Sequence, residues 1–462
     1  MTIAATTLLS QQLGEALQQM SANRYPLNRY WVAYSGGVDS HVLLHAMAML
    51  RPQLAATLHA IHVNHGLNPA AAEWAAHAQA VSDELDIPCH LFNLDATPQK
   101  GESPEAAARN ARYHVFSQLI EEGDVLLTAH HREDQAETLL LQLVRGAGPH
   151  GLAAMPLMTT FSNGHLARPL LAVEQSLINR YAQEKRLDWI EDPSNQDRRF
   201  ERNYLRHEIM PTLQAHWPAI SRTVSRSAAH CAEAAGLLDE LAIEDLKRCE
   251  QWQPGSQLPA QISLPFLQQL TPQRRRNLLR FWIKKLGLGI VSSSIMNQIE
   301  VSLINAKADA IPQITWQSGE LRRYRQQVYA MLPLAPFDST AVLKWDWQER
   351  GLELPTGQGV LLAHSGKLDG ESGADQGLSL AKCEQLPMTM RFRQGGERCR
   401  LPGRDHRSSL KGLLQQAGVP PWQRDRIPLI YLGDQIAAVV GYFYCEPFLP
   451  QASEPKLTFT IH

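Results

Sequence analysis

Ser35-Gly36-Gly37-Val38-Asp39-Ser40 directly follows the apolar run RYWVAY and directly precedes the helix-period stretch HVLLHAMAML. A strand that turns into a helix over so few residues aims several backbone N–H groups and the positive helix end at one spot, which favours an anion. Gly36 and Gly37 let backbone approach a phosphate with no Cβ in the way. Ser35 and Ser40 add hydroxyl donors, Val38 belongs to the same turn, and Asp39 can hold Mg²⁺ against phosphate oxygens. No Walker lysine follows, which excludes an ordinary P-loop kinase or GTPase site. The plainer alternative is a tight turn with Asp39 or Ser40 as helix N-cap. Strand, serines, aspartate and helix all in register favour the phosphate reading.

Working outward, short apolar runs alternate with longer helix-period stretches from about residue 29 to 190. RYWVAYS, TLHAIHV, PCHLFNL and DVLLTAH read as buried strands. HVLLHAMAML, AAAEWAAHAQAVSDEL, PEAAARNARYHVFSQLIEE and DQAETLLLQLV read as the helices between them. Such alternation predicts an α/β domain, a parallel sheet covered on both faces. From about 205 to 330 strand signals are few and the chain reads as mainly helical, punctuated by Pro211, Pro218, Pro254 and Pro272. Pro, Gly, Ser and Asp enrich the segment near 332–385, which reads as short strands joined by loops. Beyond it, MTMRFR, IPLIYL and QIAAVVGYFY are strand-like and SLKGLLQQAG helical, a small α+β domain. The division predicted is 1–212, 213–335, a linker with short strands at 336–385, and 386–462.

At 462 residues the chain is too long for one ordinary core. With 44% hydrophobic and 19% charged residues it reads as globular, and its net charge of -2 is not that of a uniformly basic coat for nucleic acid. The N-terminal stretch MTIAATTLLSQQLGEALQQM has no basic n-region and reads as an amphipathic helix. No apolar run reaches membrane-spanning length. Six scattered cysteines without a CxxC pair fit reduced thiols, so a cytoplasmic location is expected.

The loop resembles the SGGxDS motif of the N-type ATP pyrophosphatases (the PP-loop superfamily), which split ATP between the α- and β-phosphates and pass AMP to a substrate oxygen. Five further segments are similar to the tRNA(Ile)-lysidine synthases. They are His62-Val63-Asn64-His65-Gly66-Leu67; Glu105 to Tyr113 with Arg109 and Arg112; and Thr128-Ala129-His130-His131-Arg132-Glu133-Asp134-Gln135-Ala136-Glu137-Thr138. Then follow Arg145-Gly146-Ala147-Gly148 with Arg168-Pro169-Leu170-Leu171, and Asp192-Pro193-Ser194-Asn195 with Arg202-Asn203-Tyr204-Leu205-Arg206. Two departures stand out. Glu133 occupies a position where many members have Asp, and Pro149-His150 interrupts a glycine-rich stretch.

The resemblance implies an adenine nucleotide α-hydrolase-like fold and a two-step ligation. The 2-oxygen of the wobble cytidine in a tRNA(Ile) of CAU anticodon attacks the α-phosphate of ATP. Free L-lysine then displaces AMP to give lysidine, with Mg²⁺ assisting and pyrophosphate released first. It implies ATP contacts by Ser35, Gly36, Gly37, Val38, Asp39, Ser40, His65, Arg109 and Arg112. It implies chemistry at Asp39, His130, Asp134 and Glu137, with Asp39 as Mg²⁺ ligand, and action as a monomer or homodimer. Asp134 and Glu137, three apart at a helix start, face one way. Asp134 is expected as metal ligand or base, with His130 as orienting or charge-stabilising partner. RNA contacts are expected from Arg145, Arg202, Arg206, Arg393, Arg398, Arg404 and Lys411. Residues 391–426 hold nine basic side chains against three acidic ones, a local excess suited to phosphate. Arg274, Arg275, Arg276, Arg280, Lys284 and Lys285 form a second candidate patch. A zinc site at His62, His65, His130 and His131 lacks a supporting cysteine or spaced third ligand. Two alternatives stay open beside the ligase: a tRNA thiolase, against which the missing CxxC counts, and a non-catalytic tRNA-binding protein.

Overall fold

The computed structural model describes residues 4–21, 27–64, 70–94, 104–249, 258–307, 309–357, 359–366, 377–451 and 454–462. The chain parts into two compact units, Met1–Leu241 and Ala242–His462.

The first unit is built on a six-stranded sheet. Its strands are β1 (Arg29–Ala33), β2 (Thr57–Asn64), β3 (Cys89–Asn93), β4 (Asp124–Leu127), β5 (Met158–Phe161) and β6 (Gly164–Ala167), in the order β3-β2-β1-β4-β6-β5. All neighbours run parallel except the β5–β6 hairpin. The helices are α1 (Ala5–Ser21), α2 (Val38–Leu50), α3 (Ala71–Glu84), α4 (Pro104–Leu119) and α5 (Arg132–Val144), with Gln175–Lys185 following the hairpin. Strand period two divides the sheet between two cores. Tyr30, Val32, Leu58, Ala60, Val125, Leu127 and Ala167 face one, shared with α1, α2 and the helix Gln175–Lys185. Trp31, Ile61, Leu126 and Leu166 face the other, closed by Phe116 and Ile120 beside them. Every residue of β4 is buried, as a central parallel strand requires. Asp124 is fully buried at its start and accepts from Arg29 Nε at 2.8 Å and Trp31 Nε1 at 3.1 Å, so its charge is paired. The N-terminal helix reading holds: Ala5, Leu9, Leu13, Leu17 and Met20 form its buried stripe. The β5–β6 hairpin goes beyond the sequence reading.

Against the core side of α2, His41 is 4% exposed and its Nδ1 has no hydrogen-bond partner. Burial, with the nearby His77 and His45, pushes it down to about 4. A histidine lowered in the folded state stabilises fully above its unfolded value near 6.5, and that contribution is lost as pH falls toward 4. For His41 it amounts to about 3 kcal/mol. The urea midpoint is therefore expected to drop steeply from pH 6.5 to 4.5, and less steeply in His41→Gln. An unchanged slope in that variant would remove His41 as the cause.

In the second unit, the helices Leu264–Gln269, Pro272–Lys285 and Ser293–Gln298 pack with a four-stranded antiparallel sheet. Its strands are Gln261–Ser263, Gln327–Met331, Gly319–Tyr324 and Gln313–Trp316, three of them within a region that reads as mainly helical from sequence. The reason is amphipathy: Ile314, Leu321, Val328 and Ala330 alternate into the core around Trp282. The C-terminal part holds a five-stranded and a four-stranded sheet around Phe392, Leu414, Ile430 and Leu457, with the expected helix at Leu410–Gln416. The second basic patch is smaller than its sequence suggests. Arg275 is buried on Glu300 at 2.6 Å, and Arg274 binds the fully buried Asp245 at 2.6 Å. No helix of the described residues is long and apolar enough to cross a membrane.

Candidate active site

The sheet order places β1 between β2 and β4, so successive crossovers leave in opposite directions there. In open parallel sheets such a switch point opens a crevice at the C-terminal strand ends, where ligands bind. Two segments enter it: residues 34–40 after β1 and Thr128–His131 after β4.

The first segment is a tight turn, fixed from several sides, that leads into the N-terminus of α2. Gly36 has φ +89°, a left-handed conformation, and a Cβ there would lie 2.6 Å from Ile190 Cδ1. Ile190 N donates to the Gly36 carbonyl at 2.9 Å, fixing the turn from outside. Ser35 Oγ and Ser40 Oγ lie 3.0 Å apart, and Ser40 Oγ donates to the Gly37 carbonyl at 2.9 Å. Gly37 is the N-cap of α2, Val38 its first residue, and Asp39 sits in its first turn. Neither Asp39 nor Ser40 is the cap. Gly36→Ala is expected to cost about 1–2 kcal/mol from the backbone alone. It should also raise KM for ATP more than tenfold by tilting the loop. ATP–pyrophosphate exchange with unaltered KM would show that the turn geometry is not what binds.

The second segment supplies charge. His131 is 1% exposed; its Nδ1 lies 3.1 Å from Glu133 Oε2, and its Nε2 lies 3.3 Å from Asp134 Oδ2 and 3.8 Å from Asp39 Oδ2. Asp134, at the third position of α5, accepts the His131 backbone N–H at 3.0 Å, as an acidic residue there does in a capping box. Its other oxygen accepts from Arg202 Nη2 and Arg206 Nη2, both at 3.0 Å. Glu137, one turn on and 2% exposed, accepts from Arg202 Nε at 2.9 Å and Arg206 Nε at 2.8 Å. Two carboxylates and two guanidiniums thus form one closed square. Arg202 and Arg206, four apart across a helical turn, meet Asp134 and Glu137, three apart on another.

Titration follows this geometry. Burial alone would raise Asp134, but His131, Arg202 and His130 hold it below its ordinary range. Burial opposes the charge on His131 as well. The hydrogen bond to Glu133 and the charges of Asp134 and Asp39 outweigh it, so His131 is raised. Asp39 is raised: burial dominates, His131 relieves it in part, and Asp134 adds to it. Its Oδ1 is buried and accepts no hydrogen bond. His130 goes the other way, down to about 3, through burial and the charges of Arg168, Arg202 and Arg109. It is a neutral imidazole, its Nδ1 2.9 Å from Thr128 Oγ1.

The structure therefore gathers Ser35, Gly36, Gly37, Val38, Asp39, Ser40, His130, Asp134, Glu137, Arg202 and Arg206 at one sheet edge. Arg109 packs over Tyr113 at 4.8 Å on α4, and its charge reaches His130; Arg112 lies 6.0 Å from the same ring. Arg145 does not join them. It caps the far end of α5 and pairs with Glu201. His65 lies outside the described residues. The imidazole that lies against Asp134 is that of His131, while His130 bonds Thr128. Sequence reasoning named His131 only as a motif member and weighed zinc ligand, named Glu133 only as a departure from the family motif, and did not name Ile190. The first two carried a signal, an N-cap position followed by two acids. Among the described residues no group of three or more His, Cys, Asp or Glu side chains forms a metal site, which leaves zinc without support there.

Comparison with known proteins agrees with this arrangement. The family model for the PP-loop domain matches residues 8–213, that for the TilS substrate binding domain 262–329, and that for the TilS substrate C-terminal domain 388–461. The tRNA(Ile)-lysidine synthase of Coxiella burnetii is 44% identical over 427 residues, covering 92% of each chain. That of Pseudomonas aeruginosa is 45% identical over 416 residues, 89% of each chain. The chain belongs to the tRNA(Ile)-lysidine synthase family. A relative from Yersinia pseudotuberculosis extends the likeness to 96% of this chain at 38% identity. In this member of the family the C-terminal basic side chains are partly engaged with their own domain. Arg393 pairs with Asp425, Arg398 Nη2 donates to the Arg407 carbonyl at 2.8 Å, and Arg404 Nη2 donates to Gln416 Oε1 at 3.3 Å. Lys411 is exposed on the helix Leu410–Gln416, whereas Arg424 is buried on the Tyr324 hydroxyl.

Proposed function

We propose that this family member is an ATP-dependent ligase that joins lysine to carbon 2 of the wobble cytidine in a tRNA(Ile) of CAU anticodon. The observation that carries the reading is the anion cradle at residues 35–40 facing the Asp39–His131–Asp134 cluster across the switch point. Residues 1–212 are the catalytic domain in this proposal, and 213–335 and 386–462 hold the RNA. Its ordinary place is the cytoplasm, with ATP, free lysine and tRNA.

The residues fit Mg²⁺ through one observation, the unpartnered buried oxygen of Asp39. Mg²⁺ binds through one or two carboxylates together with substrate phosphates, so a full cage is not required. Asp39 holds it in this reading, and when bound it neutralises charge on the pyrophosphate that leaves. The cradle's N–H groups and the Ser35 and Ser40 hydroxyls orient the β- and γ-phosphates. His131, charged and fixed by Glu133, places a positive group beside the developing negative charge. Asp134 and Glu137 fix Arg202 and Arg206 so that these point fixed charge at the phosphates or the anticodon backbone. Asp134 is a weak base in this setting because its carboxyl is held low. His130, held down to about 3, is a weak base as well and serves as a neutral hydrogen-bonding partner that orients the reacting groups. Lysine must attack as the free amine, and roughly one molecule in two thousand is neutral at pH 7, a handicap of about 4–5 kcal/mol. The proton that the attacking amine loses passes to solvent.

The test is incubation with isoleucine tRNA of CAU anticodon, ATP, Mg²⁺ and radiolabelled lysine, counting label in RNA. ATP-dependent incorporation is expected, and a tRNA with a different anticodon should accept none. RNA-dependent pyrophosphate release without label would keep the adenylation and replace lysine by another nucleophile. No RNA-dependent release at all would favour a binding protein without catalysis.

A further inference from the structure

Outside the active site, the second unit brings two of its cysteines together. Cys399 ends the strand Arg398–Cys399, and Cys445 precedes the turn Glu446–Phe448. The two segments are tied side by side: Glu446 N donates to the Arg400 carbonyl at 2.8 Å. Both thiols are buried, 3% and 1% exposed. Both also line one cavity of ≈ 170 Å³, which Arg398, Arg407 and Tyr431 help to enclose. That space exceeds the roughly 30 Å³ that one water occupies, so a small oxidant can reach the sulfurs. All six cysteines are free thiols.

We infer that Cys399 and Cys445 form an oxidisable dithiol, a site of reversible disulfide modification by a peroxide entering the basic cavity. The chemistry balances with hydrogen peroxide as oxidant. The Cys399 thiolate attacks one peroxide oxygen, the O–O bond breaks, and hydroxide leaves, giving Cys399 sulfenic acid. The Cys445 sulfur then attacks the Cys399 sulfur, the S–O bond breaks, and the hydroxyl departs with a proton as water. Two thiols and one peroxide give one disulfide and two waters. Cys399 is the first nucleophile because the neighbouring Cys445 thiol and the charge of Arg404 outweigh burial and hold it below the usual thiol range. The neighbouring Cys399, with burial, pushes Cys445 up and suits it to the resolving role. The link would join the base of residues 400–407, which carry Arg400, Arg404 and Arg407, to the turn at 446–448.

The full-length protein is treated with hydrogen peroxide, denatured, alkylated and mapped by mass spectrometry. A peptide linking Cys399 to Cys445 is expected, lost on treatment with dithiothreitol, while Cys89, Cys231, Cys249 and Cys383 take the alkyl label. Cys445→Ser should stop at the sulfenic acid, which dimedone traps on Cys399. Cys399→Ser should abolish the link and leave Cys445 at least tenfold slower to react with peroxide. Both cysteines recovered fully alkylated, or linked to other partners, would overturn the inference. So would equal dimedone labelling of the two single variants.

Discussion

Asp39→Asn is expected to abolish pyrophosphate release while leaving the protein at least as stable as the wild type. The substitution keeps shape and removes charge. In the folded protein that charge is a burden: burial raises the Asp39 carboxyl, and Asp134 and Glu133 add to it. Its retention is understandable only if a cation or a developing positive charge is met there during the reaction. Removing one electrostatic partner of a transition state typically costs 10²–10³-fold, roughly 3–4 kcal/mol. A loss of about that size in ATP–pyrophosphate exchange is expected, with urea unfolding midpoints at or above wild type. Asp39→Ala should lose as much activity. Undiminished exchange in both variants would remove Asp39 from the chemistry. Lost exchange together with a lower midpoint would make the residue structural instead.

Glu137→Ala carries the second large effect, and it acts first on stability. Glu137 is 2% exposed and receives three of the guanidinium hydrogen bonds from Arg202 and Arg206. Breaking a buried pair from one side leaves uncompensated charge and costs about 3–5 kcal/mol. The two arginines keep 26% and 34% side-chain exposure, so water relieves part of the loss. About 3 kcal/mol is therefore expected from denaturant unfolding of the full chain. Glu137→Gln should lose less because it retains one acceptor oxygen. An unfolding free energy within about 1 kcal/mol of wild type, about the error of such extrapolation, would show that the square is decorative. Exchange activity should fall together with stability, since Arg202 and Arg206 then swing free of Asp134.

The parallel sheet was legible in sequence because its strands are buried on both faces, and so appear as continuous apolar runs such as DVLL and YWVA. The β5–β6 hairpin was not: MTTF and GHLA are only four residues each, and MTTF, half polar, forms the sheet's edge. Similarly, the strands of the second unit escaped because GELRRY places charge among its buried positions. Arg323 is 4% exposed, its guanidinium spent on the carbonyls of Leu303 and Ala306. Charge along the chain misleads for the same reason at Arg275. The cradle was readable because its demands are local: glycine where φ is positive, hydroxyls beside it, an acid in the first turn of the helix. What pairs with what was not. That His131 rather than His130 meets Asp134 depends on which imidazole turns inward at the end of β4, and adjacent histidines look alike in sequence. The square of Asp134, Glu137, Arg202 and Arg206 needs a contact over dozens of residues, which spacing alone does not encode.

That same square has a consequence for synthesis of the chain. Glu137 waits 65 residues for Arg202, and Asp134 waits 72 for Arg206. At translation speeds of about 5–20 residues per second, the two acids leave the ribosome roughly 3–14 s before their counter-ions. During that interval α5 is a nascent helix with unanswered negative charge at its start, tolerable there because the helix's own N-terminal end is positive. The residues of the phosphate loop are already made by then, but Ile190, which fixes its turn, and the arginines are not. The enzyme thus acquires its nucleotide loop early and its electrostatic lock last, so a chain truncated before residue 202 is predicted to bind poorly however well its sheet has formed.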